Sequence, residues 1–502
     1  MELFLLMVAI SLIPSNAVCH RILMLAPLGS WSEYQLTKII ARTLTDAGHS
    51  ITVVSSFKPS TQDELIEEIY LGKSVFEDKN IFKLDLISTS TFVNDGRLAA
   101  ADKMYTNKEV LQLWRKRNTF DAIIIYSAGN EIASPFLIDY TGTYIGLCAI
   151  GIENFQILNQ GHRLPKSVVP FLLMSSGYHM TFWERTLSLV VETLLYNFAY
   201  IFMLPGIQQK LEEYFPGHPP VLDIYGNYSL LLINSHFGMY GPVPLLPTQV
   251  EIGTLTAREP KPLPEDLEKF MSGSSEGVIY FSLGSLAKST DIPENYKLLF
   301  IEAFSQLTQR VVWKYEGDDL ELPKNVLTRK WLSQQDILGH PATVLFISHC
   351  GMFGTQEAKY HGVPVLGVPI AFDQPRNAER LARSGYGEVL YWDDMTVDKI
   401  VKSINKIIND PRYAQNLKVV SSALKDQKDS PAERTVWWVE YAIRHRGAPH
   451  MDYAGKHLNT LQYYMIDVFC FLALVLLSWA TLTYFCIKHT LRKLYRKKNK
   501  EE

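Results

Sequence analysis

Short apolar runs of strand length alternate with longer amphipathic stretches along most of the chain. In the N-terminal half, apolar runs at 22–26 and 51–55 flank a helical-period stretch at 34–47, and a further run follows at 122–126. This alternation predicts parallel sheet with helical crossovers, because parallel neighbours need a long connection that covers one face of the sheet. The C-terminal half repeats the scheme more clearly, with runs at 278–281, 311–314, 326–328, 344–347 and 363–368. Two doubly wound α/β domains are the simplest reading, over 20–241 and 265–463. Proline clusters between them, from Pro242 to Pro247 and in Pro260-Lys261-Pro262-Leu263-Pro264. Such a stretch over 242–264 suits a linker rather than a helix or a central strand.

Three apolar segments fall outside this pattern. Residues 3–13 are largely apolar and lead into Pro14-Ser15-Asn16-Ala17, whose small residues at Ser15 and Ala17 fit signal-peptidase cleavage, so 1–19 is expected to be a signal peptide. Residues 468–487 carry no charge over twenty positions. That is the length a helix needs to cross a hydrocarbon core of ~30 Å, and a transmembrane helix is expected over 464–487. Lys488, Arg492, Lys493, Arg496, Lys497, Lys498 and Lys500 follow in the tail 488–502, which places it on the cytoplasmic side. The topology implied is single-pass type I with the two domains lumenal. The ending Lys498-Asn499-Lys500-Glu501-Glu502 resembles a lysine-based retrieval signal and points to the endoplasmic reticulum membrane. The third segment, 187–204, is marginal in length for a span and contains Glu192 and Asn197. It suits a helix packed on the first domain, at the membrane surface or at the mouth of an acceptor pocket, better than a second span.

Composition narrows the class of protein. Apolar residues make up 47% and charged residues 20%, which excludes a disordered or fibrous chain, and a net charge of −3 gives no reason to expect nucleic acid. Of five cysteines, Cys470 and Cys486 lie in the apolar C-terminal stretch and Cys19 at the cleavage site, leaving Cys148 and Cys350 in the body. Neither a disulfide scaffold nor a metal cluster follows from so few. One glycosylation sequon, Asn227-Tyr228-Ser229, is compatible with a lumenal surface loop.

The segment richest in chemistry is Phe346-Ile347-Ser348-His349-Cys350-Gly351-Met352-Phe353-Gly354-Thr355-Gln356-Glu357. It predicts a buried strand ending at Ser348, a glycine-bearing turn, and a helix starting near Thr355 whose free amides and dipole point where a diphosphate could sit. His349 then stands at the carboxyl end of the strand, where ligands of open α/β sheets bind. Alone, a structural turn accounts for the segment equally well. Its surroundings decide: Trp331-Leu332-Ser333-Gln334-Gln335-Asp336-Ile337-Leu338 precedes it, and His361-Gly362-Val363-Pro364-Val365-Leu366-Gly367-Val368-Pro369 and Phe372-Asp373-Gln374-Pro375 follow. Together these resemble the signature of the UDP-glycosyltransferase family. Asn234-Ser235-His236-Phe237 and Phe281-Ser282-Leu283-Gly284-Ser285 extend the resemblance toward animal, particularly insect, members.

The resemblance implies a GT-B architecture, two Rossmann-like domains facing across a cleft, with a UDP-sugar as donor substrate and no further cofactor or metal. It implies that Trp331 stacks on uracil and that Gln334 hydrogen-bonds the nucleoside. His349, Ser285 and the amides of Gly351, Gly354 and Thr355 would hold the diphosphate, Glu357 the ribose hydroxyls, and Asp373 and Gln374 the sugar. Ser333 stands where the family usually has proline, which is expected to loosen the turn. The reaction implied is inverting displacement by a hydroxyl of a small lipophilic acceptor, with a base in the first domain. In the family pattern that base is a histidine after the first strand, oriented by an aspartate after a later one. Counting from Pro27-Leu28-Gly29-Ser30-Trp31-Ser32 to Gly48-His49 puts Glu33 in the histidine's place, and counting from Phe120-Asp121 puts Tyr126 in the aspartate's, with Asp121 and Glu131 nearby. Glu33 and His349 are therefore the candidate catalytic residues. Three readings remain open: an active hexosyltransferase with an altered base, a silent UDP-sugar-binding membrane protein that partners active relatives, and a structural membrane protein, in which the donor residues would be idle. The sugar itself is open between glucose, glucuronic acid and other hexoses, as is homo- or hetero-oligomerisation.

Overall fold

A computed structural model describes residues 19–501 apart from 60–64, 78, 84–85, 172–173, 175 and 177–178. Of the expected signal peptide, all but Cys19 lies outside the described residues.

The first sheet has seven strands: β1 (Arg21–Ala26), β2 (Ser50–Ser55), β3 (Ile66–Tyr70), β4 (Ala122–Tyr126), β5 (Thr143–Cys148), β6 (Leu230–Ile233) and β7 (Gln249–Glu251), in the order β3-β2-β1-β4-β5-β6-β7. The second has six: β8 (Val278–Ser282), β9 (Arg310–Lys314), β10 (Val326–Arg329), β11 (Thr343–Ser348), β12 (Val365–Gly367) and β13 (Gly387–Val389), ordered β10-β9-β8-β11-β12-β13. Every pairing is parallel. The strands are buried on both faces, which is why they read as continuous apolar runs rather than as alternation. Leu23, Leu25, Ile123 and Ile125 enter one core and Ile22, Met24, Ala122 and Ile124 the other, the period-2 sidedness of β structure. In each sheet the strand order reverses beside the first strand, at β1/β4 and at β8/β11. Crevices open there at the carboxyl ends of the strands, and both candidate sites fall in them.

The GT-B expectation holds as two parallel α/β sheets, and the halves are joined more closely than a linker over 242–264 suggests. β7 lies inside that stretch as an edge strand of the first sheet. The helix Pro431–Arg444 returns from the second half to the first, where Val439 and Ala442 join the core of β1 and β4. The seam carries buried polar contacts: Arg376 Nη2 lies 2.6 Å from Glu153 Oε1, Gln356 Nε2 donates to the Asn234 carbonyl at 2.9 Å, and Lys359 Nζ donates to the Met239 carbonyl at 2.5 Å. Buried polar contacts like these favour one domain orientation, because a shift that keeps the seam closed would leave the groups buried and unpaired.

The segment expected as a surface helix is continuous from Phe182–Phe198 through a wide turn at Ala199–Met203 into Leu204–Tyr214. The terminal helix runs Ile466–Glu501, and its stretch Ile466–Arg496 is long and apolar enough to cross a membrane, with none of its apolar window buried in the protein. Asn227 of the sequon is exposed, its amide oxygen accepting from Lys456 Nζ at 2.5 Å.

Candidate active site between the two sheets

One cavity of about 640 Å³ lies between the carboxyl ends of the two sheets. It is lined from the first domain by residues that include Glu33 and Tyr126, and from the second by Ser285, Trp331, Gln334, His349, Gly351, Gly354, Glu357, Asp373 and Gln374. These residues are drawn from distant parts of the chain, Glu33 and Gln374 being 341 positions apart. Thr355 is the one candidate that does not line it. Its hydroxyl is buried without a partner, and its amide already donates to the Gly351 carbonyl at 3.0 Å.

On the second wall, β11 ends at Ser348 as expected, but the next helix starts at Met352, three residues earlier than the sequence suggested. Gly351 is its N-cap and has no side chain to offer. The first-turn amides of Met352, Phe353 and Gly354, rather than that of Thr355, are therefore free for an anion. Cys350 turns the chain with φ of +63°, and Phe372 does so before Asp373 with +60°. Such left-handed non-glycine residues cost about 1–2 kcal/mol each and concentrate at functional sites. His349 is clasped between two glycines: a Cβ on Gly284 would stand 2.5 Å from its ring, and so would one on Gly351. Gly284 also has φ of +79°. Burial, with the Lys314 ammonium nearby, pushes the imidazole down to about 4. At neutral pH His349 is therefore an uncharged hydrogen-bond donor.

Sequence reasoning missed the cation beside it. Lys314 ends β9 at the cavity, donates to the Gly284 carbonyl at 3.0 Å and to Glu316 at 2.5 Å, and lies 5.7 Å from the centre of the exposed Trp331 ring. A charged residue closing an apolar strand at its carboxyl end was the available signal. Gln334 Nε2 donates to Glu357 Oε2 at 2.5 Å, and burial raises the Glu357 carboxyl to about 7. Burial also raises Asp373, to about 6 against the opposing charge of Arg376 and a 2.6 Å hydrogen bond from Asn377. Gln374 turns its amide oxygen to the backbone N–H groups of Ile370 and Ala371, at 2.8 and 3.0 Å, so that side of it shapes the loop rather than facing a ligand.

The turn at Ser333 is not loosened. Its hydroxyl donates to Asp336 at 2.5 Å, and Arg258 reaches the same carboxylate at 2.6 Å. Burial works to raise Asp336, yet these hydrogen bonds bring it down to about 2. Arg258, from the expected linker, thereby ties that segment to the Trp331-Gln334 turn and also lines the cavity.

On the first wall, Glu33 is the third residue of the helix Trp31–Asp46 and closes a capping box with Ser30. One carboxylate oxygen accepts from the Ser30 amide at 2.5 Å and the other from the Tyr126 hydroxyl. Burial and the Glu33 charge push the Tyr126 phenol well above its usual range, so it remains a proton donor. Neither sequence neighbour reaches Glu33: Asp121 sits before the start of β4, accepting from the Arg21 amide at 2.8 Å, and Glu131 lies 3.6 Å from Arg97. Among the described residues lining the cavity, His349 is the only histidine.

Comparison with known proteins agrees with the fold and extends it. The family model for UDP-glucoronosyl and UDP-glucosyl transferase matches residues 30–501. UDP-glucosyltransferase 2 of Dactylopius coccus is 32% identical over 501 residues, covering 97% of this chain and 96% of that protein. UDP-glucuronosyltransferase 2B33 of Macaca mulatta is 29% identical over 503 residues, covering 93% and 92%. Among solved structures, the calicheamicin glycosyltransferase CalG4 superposes with a TM-score of 0.56 at 18% identity, covering 86% of this chain and all of that one. A UDP-glucosyltransferase from Polygonum tinctorium gives 0.59 at 14% identity, covering 86% and 99%. The chain is thus a member of the UDP-glucoronosyl and UDP-glucosyl transferase family, enzymes that move a sugar from a UDP-sugar to an acceptor.

Proposed function

We propose that the protein is an inverting, metal-independent hexosyltransferase in which Glu33, oriented by Tyr126, takes the proton of the acceptor hydroxyl. The observation that carries this reading is that Glu33 and the donor constellation of His349, Glu357 and Asp373 face one cavity from opposite walls. The acceptor oxygen attacks the anomeric carbon as the bond to UDP breaks, its proton passes to a Glu33 oxygen, and UDP leaves with the bonding electrons. A carboxylate offers about four lone-pair sites, of which Tyr126 and Ser30 occupy two, so Glu33 keeps capacity to accept another proton. Neutral His349 and the amides of Met352, Phe353 and Gly354 stabilise the charge growing on the diphosphate, with Lys314 supplying positive charge at the same wall. In this reading Trp331 stacks on the uracil and Glu357 accepts the ribose hydroxyls; both line the cavity. Leu28, Trp31, Ile39, Phe76, Val93 and Ile150 make the first-domain wall apolar, which suits a small lipophilic acceptor. The terminal helix is the membrane anchor, and with a cleaved signal peptide it puts both domains in the lumen of the endoplasmic reticulum.

A second reading rests on one observation: Glu33 already fills a structural role in the capping box. In that case the protein binds UDP-sugar silently and partners active relatives. Transfer from a panel of labelled UDP-sugars to mixed phenolic and lipid acceptors, beside UDP-sugar binding, separates the two. Transfer abolished by Glu33→Gln supports the altered base, unchanged transfer removes Glu33 from that role, and binding without any transfer supports the silent partner.

A further inference from the structure

The helix Leu86–Thr106 turns one row of side chains toward the first domain, where Ala100, Ala101 and Met104 are buried in the core. Val93 and Arg97 continue that row at helical steps of three and four, and both line the cavity. A guanidinium thus stands where the row is otherwise apolar. Its side chain is 18% exposed, and the carboxylate beside it, Glu131, is buried. The contact between them is loose. Arg97 Nε lies 3.6 Å from Glu131 Oε2, too far for a hydrogen bond, and both atoms are buried without a hydrogen-bond partner. Among the described residues nothing accepts from Nη1 or Nη2 either. A guanidinium carries five N–H donors in a planar fork, and donors left unpaired in a largely enclosed position are costly. A ligand in the cavity is what satisfies them.

The turns around Arg97 keep space for its head group. Gly129, in the turn after β4, has φ of +77°, and a Cβ there would stand 3.3 Å from Arg97 Nε and 3.0 Å from Leu28 Cδ2. Gly29 follows Leu28 in the turn after β1, and a Cβ there would lie 3.3 Å from Glu33 Oε2. Arg97 and Glu33 therefore flank the turns that leave two neighbouring strands. Among the described residues they are the only charged side chains on the first-domain wall of the cavity.

We propose that Arg97 is a specificity-determining residue that binds a carboxylate of the acceptor, so that the acceptors are lipophilic hydroxy acids. The hydroxyl faces Glu33, the apolar body lies against Leu28, Phe76 and Val93, and the carboxylate takes the Nη1/Nη2 edge of the guanidinium. A planar carboxylate matches that edge with two parallel hydrogen bonds, while Glu131 holds the guanidinium from the Nε side. The role given to the hydroxyl rests on the transfer reading above; the role given to the carboxylate does not. A uronic acid donor would bring a carboxylate too, but its sugar belongs with Asp373 on the opposite wall.

The test pairs para-hydroxybenzoate, para-hydroxyphenylacetate and para-hydroxyphenylpropanoate, which hold a phenol at increasing distance from a carboxylate, with their neutral primary amides. Titration calorimetry on the full chain in detergent, with UDP present, reads the anion site without turnover. Transfer from UDP-glucose and from UDP-glucuronate reads it as kcat/KM. At least one acid is expected to bind about tenfold or more tighter than its amide, the worth of a charge-assisted pair. Arg97→Gln should erase that preference and Arg97→Lys should keep part of it. Because Arg97→Gln leaves Glu131 buried and unpaired, the comparison is repeated with Arg97→Gln and Glu131→Gln together, retained UDP binding showing that each variant is folded. Acids and amides that bind alike, or do not bind, overturn the inference and leave Arg97 as the counter-ion of Glu131. A preference that survives Arg97→Gln overturns it as well. A loss confined to UDP-glucuronate against UDP-glucose overturns it in favour of the donor's carboxylate. Preferential binding of an acid without transfer of either sugar upholds the anion site and overturns the transfer reading.

Discussion

The Tyr126 hydroxyl donates to a carboxylate oxygen of Glu33, across 93 residues of sequence. The contact exists because β1 and β4 are neighbours, with Leu25 opposite Ile125, so the turn after one strand and the last residue of the other meet at the carboxyl edge of the sheet. The two positions that sequence counting places where the family has its histidine and aspartate are thus partners in space. A phenol kept protonated by burial can orient a carboxylate as an aspartate orients an imidazole.

Glu33→Gln tests that pair with little risk to the fold, because glutamine also serves at the third position of a capping box. The turnover number is expected to fall on the order of a hundredfold or more, the usual worth of a general base. The dissociation constant for UDP-sugar should be unchanged. Tyr126→Phe should give a smaller loss of the same kind, read from steady-state kinetics beside calorimetric UDP-sugar binding.

Gly284→Ala should weaken UDP-sugar binding more than it lowers stability. The added methyl meets the His349 ring at 2.5 Å, and φ of +79° is unfavourable for alanine by about 1–2 kcal/mol. Displacement of the imidazole would appear in titration calorimetry, and the backbone cost as a lower thermal midpoint.

UDP-sugar affinity should rise with pH between about 6 and 8. Burial raises Glu357 to about 7 from an ordinary value of 4.5, so in the empty site the proton is held up to that pH, and only the ionised carboxylate can accept both ribose hydroxyls. A UDP-sugar has no phosphate ionisation of its own in this range, so the slope reports the protein. Glu357→Gln should bind more weakly and lose the slope. The same shift makes the empty native state hold a proton that the unfolded chain has released. Stability from this group should therefore decline as pH rises from about 4.5 through 7, measured by denaturant titration of both forms.

Arg376→Ala should lower the thermal midpoint markedly, since it strands the buried Glu153 at the domain seam. Breaking one side of a buried pair costs about 3–5 kcal/mol. Burial already pushes Glu153 upward against the Arg376 charge, and removing that charge raises it further. The double change Arg376→Met with Glu153→Gln should recover much of the loss in a scanning calorimeter.

Much of the site was legible because strand ends are. Apolar runs end where the chain emerges at the sheet edge, so Ser348 was read correctly as the end of β11 and His349 as the residue in the crevice. The start of the following helix was read at Thr355 rather than Met352 because Phe353 and Gly354 favour helix only weakly, and its first turn is held where Met352 and Phe353 pack with Met239, Tyr240 and Leu424. The linker reading of 242–264 overlooked β7, whose three residues carry too little pattern to be seen. Ser333 was expected to loosen its turn because the partner that holds it, Asp336, is oriented by Arg258 from a segment 78 residues away.

The sequence by itself determined the two parallel sheets, the family and most of the residues that line the second domain's side of the cavity. These depend on local order: runs of apolar residues, glycines at a turn, and residue types at fixed short spacing. Only the tertiary structure decided that Glu33 meets Tyr126, that Lys314 and Arg258 join the cavity, that the helix Pro431–Arg444 returns to the first sheet, and that Arg97 stands beside Glu131. Each of these is a contact between distant segments. Which face of a helix is buried, or which strands are neighbours, is settled by the packing of the whole chain and leaves no periodic trace in any one stretch of it.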